Sequence, residues 1–136
     1  MRVFLDANVL FSAAKSDGAV RELLRLLLQA RHECCADEYV AFEARRNLQN
    51  KGAEALAAFE ALLGRLRISP AQAIGGAAKE LDWLPEKDRP VLAAAIRLRC
   101  DVLITGDRSH FGRGYGKVFG GVTIHSPRSL AESLFA

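Results

Sequence analysis

The chain has 136 residues, 50% of them hydrophobic and 26% charged, a balance that excludes a disordered or low-complexity chain and describes one soluble globular domain, residues 1–136. Nineteen Lys and Arg against sixteen Asp and Glu leave a formal charge of +3. That excess is too mild to indicate nucleic acid by itself; it gains meaning only if several acids gather in one pocket and leave the remaining surface more basic.

Cys34, Cys35 and Cys100 are odd in number and lack any metal-ligand spacing, so they read as reduced, buried small residues. No apolar run reaches the length of a membrane span. Asp6 and Asn8 interrupt the N-terminal apolar run too early for a signal peptide, and a cytoplasmic protein is expected.

Taken in order, Val3-Phe4-Leu5 is a short buried strand that runs into Asp6. Asp6-Ala7-Asn8 leads into Val9-Leu10-Phe11, and the next strong helix spans residues 18–31 with Asp17 as its N-cap. Residues 33–36 form a second strand. Asp37 caps a helix reaching Asn50, and Gly52 opens an Ala-rich helix reaching Leu66. Residues 67–69, before Pro70, make a weak third strand. Residues 71–81 are ambiguous because Gly75-Gly76 weakens any helix there.

Residues 84–90 form a loop feeding a helix, with Asp88 at the N-cap and Pro90 in the first turn. Residues 91–96 are apolar on every side and predict a buried helix. It delivers the chain to Val102-Leu103-Ile104-Thr105, an apolar β-branched strand that ends in Gly106-Asp107. Residues 112–121, with five glycines, read as a mobile loop. Residues 122–124 are a last strand, and Ser126-Pro127 opens the last helix. Strands alternating with helices predict a parallel sheet covered on both faces.

Such a sheet collects its strand ends and helix starts on one rim, where open α/β folds bind ligands. Asp6, Asp88 and Asp107 then share that rim, and Glu43 reaches in from its helix. Individually each acid has a plainer role: a turn residue, a helix cap, or the margin of an apolar face. Together they predict a cluster. Two carboxylates about 4 Å apart repel by roughly 4 kcal/mol at an effective dielectric near 20. A cluster of that kind needs a cation, and carboxylates without His or Cys ligands suit Mg²⁺ or Mn²⁺ rather than Zn²⁺. Such an ion lowers the pKa of a bound water and neutralises charge on a phosphate, so no side-chain nucleophile is required.

Other chemistries fail on specific residues. His32-Glu33-Cys34-Cys35-Ala36 has Ala36 where a zinc-protease motif needs its second histidine. Phe111 and Val118 break the pattern of a phosphate-binding loop around Gly116-Lys117, and no GxSxG elbow is present. A haloacid-dehalogenase-type phosphatase wants Asp where Asn8 stands.

At these residues the chain resembles a PIN-domain nuclease over essentially its whole length. LDANVL is similar to the family's N-terminal Asp motif, EARRNL carries Glu43, KDRPVLAAAI carries Asp88, and LITGDRSHF carries Asp107. VTIHSPRSL resembles the closing strand and helix. The resemblance implies a three-layer α/β/α sandwich with a central, mainly parallel sheet, and a Mg²⁺- or Mn²⁺-dependent endoribonuclease. It implies metal coordination by Asp6, Glu43, Asp88 and Asp107, with polar support from Asn8, Thr105 and Ser109. It also implies an RNA substrate, a homodimer, and a toxin silenced by a cognate antitoxin.

Arg46, Arg89 and Arg108, with Arg45 and Arg113, are candidates for RNA-backbone contacts, against the plainer reading of solvated surface. His110 reads as a structural histidine packed beside Phe111 rather than a group that touches phosphate. The competing functions are a house-keeping RNA-processing nuclease and a non-catalytic module whose acids hold a structural ion or a basic partner.

Overall fold

A computed structural model describes residues 1–74 and 78–135. Gly75 and Gly76, on which the ambiguity of residues 71–81 turned, lie outside the described residues. Strands β1 (Arg2–Leu5), β2 (Glu33–Asp37), β3 (Arg67–Ser69), β4 (Val102–Ile104), β5 (Val118–Phe119) and β6 (Val122–His125) form one sheet in the order β3-β2-β1-β4-β6-β5. Every pairing is parallel except β5 with β6. Helices lie on both sides of the sheet, giving the expected α/β/α sandwich.

The central strands read as continuous apolar runs because both faces are covered. Val3, Phe4, Leu5, Leu103 and Ile104 are fully buried. β1 pairs with β4 in the register Leu5 to Ile104, so both strands end at the same level. The backbone then holds the exits together: Asp6 N–H donates to the Ile104 carbonyl at 3.1 Å, and Thr105 N–H to that of His125 at 3.0 Å.

Between Asp6 and Gly18 the sequence reading places no helix, but helix α1 spans Ala7–Lys15. Asp6 caps it, accepting from Ala7 N–H at 2.7 Å. Ala7, Val9, Leu10, Ala13 and Ala14 form its buried stripe. Three of those five are alanines, and they make a weaker apolar signal than the leucines that mark α2 (Ala19–Gln29). Asp17 does not cap α2; Gly18 holds the N-cap position, with no side-chain cap. The helix stops two residues early because Arg31 turns into the left-handed region at φ 65°.

Asp37 caps α3 (Glu38–Lys51), accepting from Val40 N–H at 3.1 Å. The Ala-rich stretch divides into a 3₁₀ turn over Ala53–Ala55 and α4 (Leu56–Leu63). After α5 (Ala78–Leu81) comes the buried helix α6 (Arg89–Arg97). Residues 112–121 are built rather than loose, contrary to the mobile loop the glycines suggested. Following α7 (Arg108–Phe111), a 3₁₀ turn leads to β5, which folds back on β6 through Gly120 (φ 54°) and Gly121 (φ 85°). Those positive φ angles are what a two-residue hairpin turn of this hand demands. Trp83 stacks on Phe119 with ring centroids 4.7 Å apart and meets Phe111 edge-on at 6.1 Å, fixing hairpin and α7 to one support. The last helix is α8 (Pro127–Phe135). Among the described residues no helix is long and apolar enough to cross a membrane.

Candidate functional site

Asp6 sits where β1 gives way to α1 and is 6% exposed. One carboxylate oxygen caps α1, and the other accepts from the Thr105 hydroxyl at 2.8 Å and from Asn8 Nδ2 at 3.2 Å. Asn8 also accepts from Gly106 N–H at 2.8 Å. The Thr105 hydroxyl accepts from Asp107 N–H at 3.2 Å. Asn8 and Thr105 therefore tie the end of β1 to the turn after β4 and hold Asp6 in one orientation. Burial pushes the Asp6 carboxyl up to about 6, against the lowering effect of its bonds to Thr105 and Ala7, and the charges of Glu43 and Asp88 add to the rise.

Asp88 occupies the N-cap position of α6 yet makes no side-chain cap bond, so its carboxylate is left for another role. Burial also raises its pKa; His110 opposes the rise and Asp107 adds to it. Asp107 caps α7 with one oxygen, accepting from His110 N–H at 3.1 Å. Its other oxygen lies 3.0 Å from His110 Nδ1, and the same nitrogen lies 2.8 Å from Asp88 Oδ2.

His110 is thus no mere packing residue beside Phe111. It stands between two carboxylates contributed by separate helices, and donor atoms of Asp88, Asp107 and His110 all fall within 4.8 Å of one another. Asp88 Oδ2 and His110 Nδ1 are buried and close, and neither makes an aligned hydrogen bond among the described residues. Two carboxylates and one imidazole converging in this way offer oxygen and nitrogen donors of the kind that suit a divalent ion such as Mn²⁺. The residues present fit such an ion.

Glu43 lies on α3, one turn after Tyr39, and is half-buried. The Tyr39 hydroxyl donates to the Lys87 carbonyl at 3.0 Å, holding this part of α3 against the chain that carries Asp88. Burial raises the Tyr39 pKa, and the charges of Glu43, Asp88 and Asp6 raise it further. The described structure therefore draws all four acids toward one rim, with Asp6 and Glu43 outside the tight group of three. Ser109, expected as a supporting residue, is exposed and makes no hydrogen bond to the acids. The reason is rotational: on α7 the residues three and four positions after Asp107, His110 and Phe111, return to its side, and Ser109, two positions on, does not.

The arginines divide. Arg45 is committed to Glu60 through two bonds of 2.8 and 3.0 Å, and Arg89 Nε donates to the Leu84 carbonyl at 3.0 Å. These two serve the fold. Arg46 and Arg108 remain exposed, Arg46 in a hollow with Tyr39, Phe42 and Glu43. In the sequence His110 reads as structural because it stands beside Phe111 and pockets hold few functional groups. The overlooked signal was its place three residues after Asp107 at the start of a helix.

Fold and site together define an α/β domain with acids gathered at the carboxyl edge of its sheet. The chain belongs to the PIN-domain family, whose model matches residues 2–109. Among solved structures it is similar to the VapBC2 complex of Rickettsia felis bound to a promoter DNA fragment, with TM-score 0.69, 19% identity, and coverage of 93% of this chain and 98% of that one. DNA-bound VapBC from Salmonella typhimurium gives 0.66 and 17%, over 93% and 98% of the two chains. VapC20 of Mycobacterium tuberculosis, described as a sarcin-ricin loop cleaving toxin, gives 0.61 and 14%, over 86% and 98%. At these identities the likeness concerns the fold. No curated protein sequence matches the chain.

Proposed function

We propose that this chain is a divalent-metal-dependent endoribonuclease, the toxin of a toxin–antitoxin pair. The observation that carries the reading is the meeting of Asp88, Asp107 and His110, drawn from two separate helices, beside buried Asp6. Acids from distant parts of the chain, one pushed up to about 6 by burial, repel one another where they meet, and a cation would offset that repulsion. PIN-family membership and the description of VapC20 as a sarcin-ricin loop cleaving toxin support the same choice.

Asp6, Glu43, Asp88 and Asp107 are assigned to the ion, Mg²⁺ or Mn²⁺, and His110 joins them. The imidazole would add a nitrogen donor to the oxygen set, which favours Mn²⁺ over Mg²⁺. When bound, the ion supplies charge neutralisation at phosphate and a more acidic water. The chain's own residues do the rest: Thr105 and Asn8 orient Asp6, and Arg46 and Arg108 offer charge to the RNA backbone. The partner in this reading is a cognate antitoxin, as in the VapBC complexes, and the assembly is a homodimer.

The test is to incubate purified protein with a varied RNA pool and Mn²⁺ and to sequence the new ends. Discrete cuts that disappear in Asp107→Ala are expected. RNA left intact by the wild type would sink the nuclease assignment, and cells that keep growing on induction would sink the toxin assignment.

A further inference from the structure

Beside the acids lies a cavity that the metal chemistry leaves unused. It measures about 410 Å³ and is walled by Leu23 of α2, the Tyr115 ring, and Pro127 and Ala131 of α8. That volume is within the range of small-ligand sites. A second hollow of about 340 Å³ contains Asn8 and Asp107, and the two hollows share Gly106 and Pro127. The apolar cavity therefore shares part of its wall with the polar one.

Tyr115 spends its hydroxyl on the Thr105 carbonyl at 2.7 Å, so its ring is a fixed wall rather than a mobile one. Arg108 is exposed at the rim and makes no ion pair among the described residues. Arg128 also lines the cavity; its one ion pair, with Glu132 at 3.0 Å, lies in solvent. An apolar slot with a rigid aromatic wall and two guanidinium groups suits a flat base carried between two phosphates. Unstacked bases are held on aromatic rings and guanidinium planes, while cations track the backbone.

We propose that this cavity seats a nucleobase adjoining the scissile phosphate, with Arg108 and Arg128 holding the phosphates on either side. The proposal rests on the nuclease reading for its substrate, but the cavity is testable by binding alone. A labelled single-stranded RNA is titrated with the wild type in the absence of metal, followed by anisotropy, and compared with analogues abasic at each position in turn. Ala131→Phe, which fills the cavity, is measured alongside with its melting temperature.

Loss of one base should weaken wild-type binding about ten- to hundredfold. Ala131→Phe should bind the intact RNA as weakly as the wild type binds that abasic form, and should no longer distinguish the two. Arg128→Ala should lower the slope of log affinity against log salt by about one. In the cleavage assay the same abasic position should fall next to the cut. Binding indifferent to every abasic position overturns the proposal, as does a folded Ala131→Phe that binds RNA normally, including one that loses only a protein partner. RNA bound base-selectively but never cut would overturn the nuclease reading and leave the pocket standing.

Discussion

The Thr105 hydroxyl donates to Asp6 Oδ2 at 2.8 Å, joining residues that stand 99 apart in the chain and closing the gap between the ends of β1 and β4. Thr105 is fully buried, and the same oxygen accepts from Asp107 N–H. Thr105→Val keeps the shape and removes every polar contact of the hydroxyl. It should cost about 1–3 kcal/mol, read from denaturant unfolding, because a buried carboxylate loses a donor. It should also raise the Asp6 pKa further, since that bond opposes the shift.

The pH dependence of the metal-free protein follows from Asp6. Its folded pKa is raised from 3.8 to about 6, so between those values the folded state binds the proton more tightly than the unfolded state. Stability then falls as pH rises through that window and levels off above it, by on the order of 2–3 kcal/mol. Asp6→Asn should flatten the profile between pH 4 and 6 and be more stable than the wild type at neutral pH in chelator. Urea unfolding across that range decides it; a wild-type profile already flat there would contradict the burial argument.

Metal should act in the opposite direction. An ion that binds only the folded protein stabilises it by about 2.7 kcal/mol at a hundredfold excess over Kd. Thermal melts with millimolar Mn²⁺ should therefore shift upward by several degrees, and His110→Ala should shrink that shift without lowering the melting temperature in chelator by a comparable amount. A His110→Ala protein that responds to Mn²⁺ like the wild type would remove the imidazole from the donor set.

Asp88 offers a sharp separation of roles because it holds a cap position without capping. Asp88→Asn should leave the metal-free protein at least as stable as the wild type at neutral pH, because it removes a charge that burial and Asp107 disfavour. RNA cleavage should fall by about a hundredfold or more, as expected when a metal's several kcal/mol of charge stabilisation is lost. A large loss of stability with activity retained per folded molecule would return Asp88 to a structural role.

Much of this architecture is written locally. The runs Val3-Phe4-Leu5 and Val102-Leu103-Ile104 are apolar throughout because both faces of a parallel sheet are covered, and each gives way to a polar residue at the strand's end. Asp37 and Ser126-Pro127 mark helix starts by chemistry that needs only neighbouring residues. Helix α1 was less legible because a stripe built largely from alanine is weak in a sequence and becomes decisive only when packed. The glycines of residues 112–121 read in the sequence as a mobile loop, and only the pairing of β5 with β6 shows Gly120 and Gly121 to be a hairpin turn.

The sequence by itself determined the alternation of strands and helices and the acids at their boundaries, since periodicity and end residues act over a few positions. Tertiary structure alone decided which polar groups meet. It brought His110 between Asp88 and Asp107, left Ser109 in solvent, committed Arg45 to Glu60 and Arg89 to the backbone, and opened a cavity between α2, Tyr115 and α8. Those outcomes depend on helix rotation and on distances across the sheet, which no local pattern specifies.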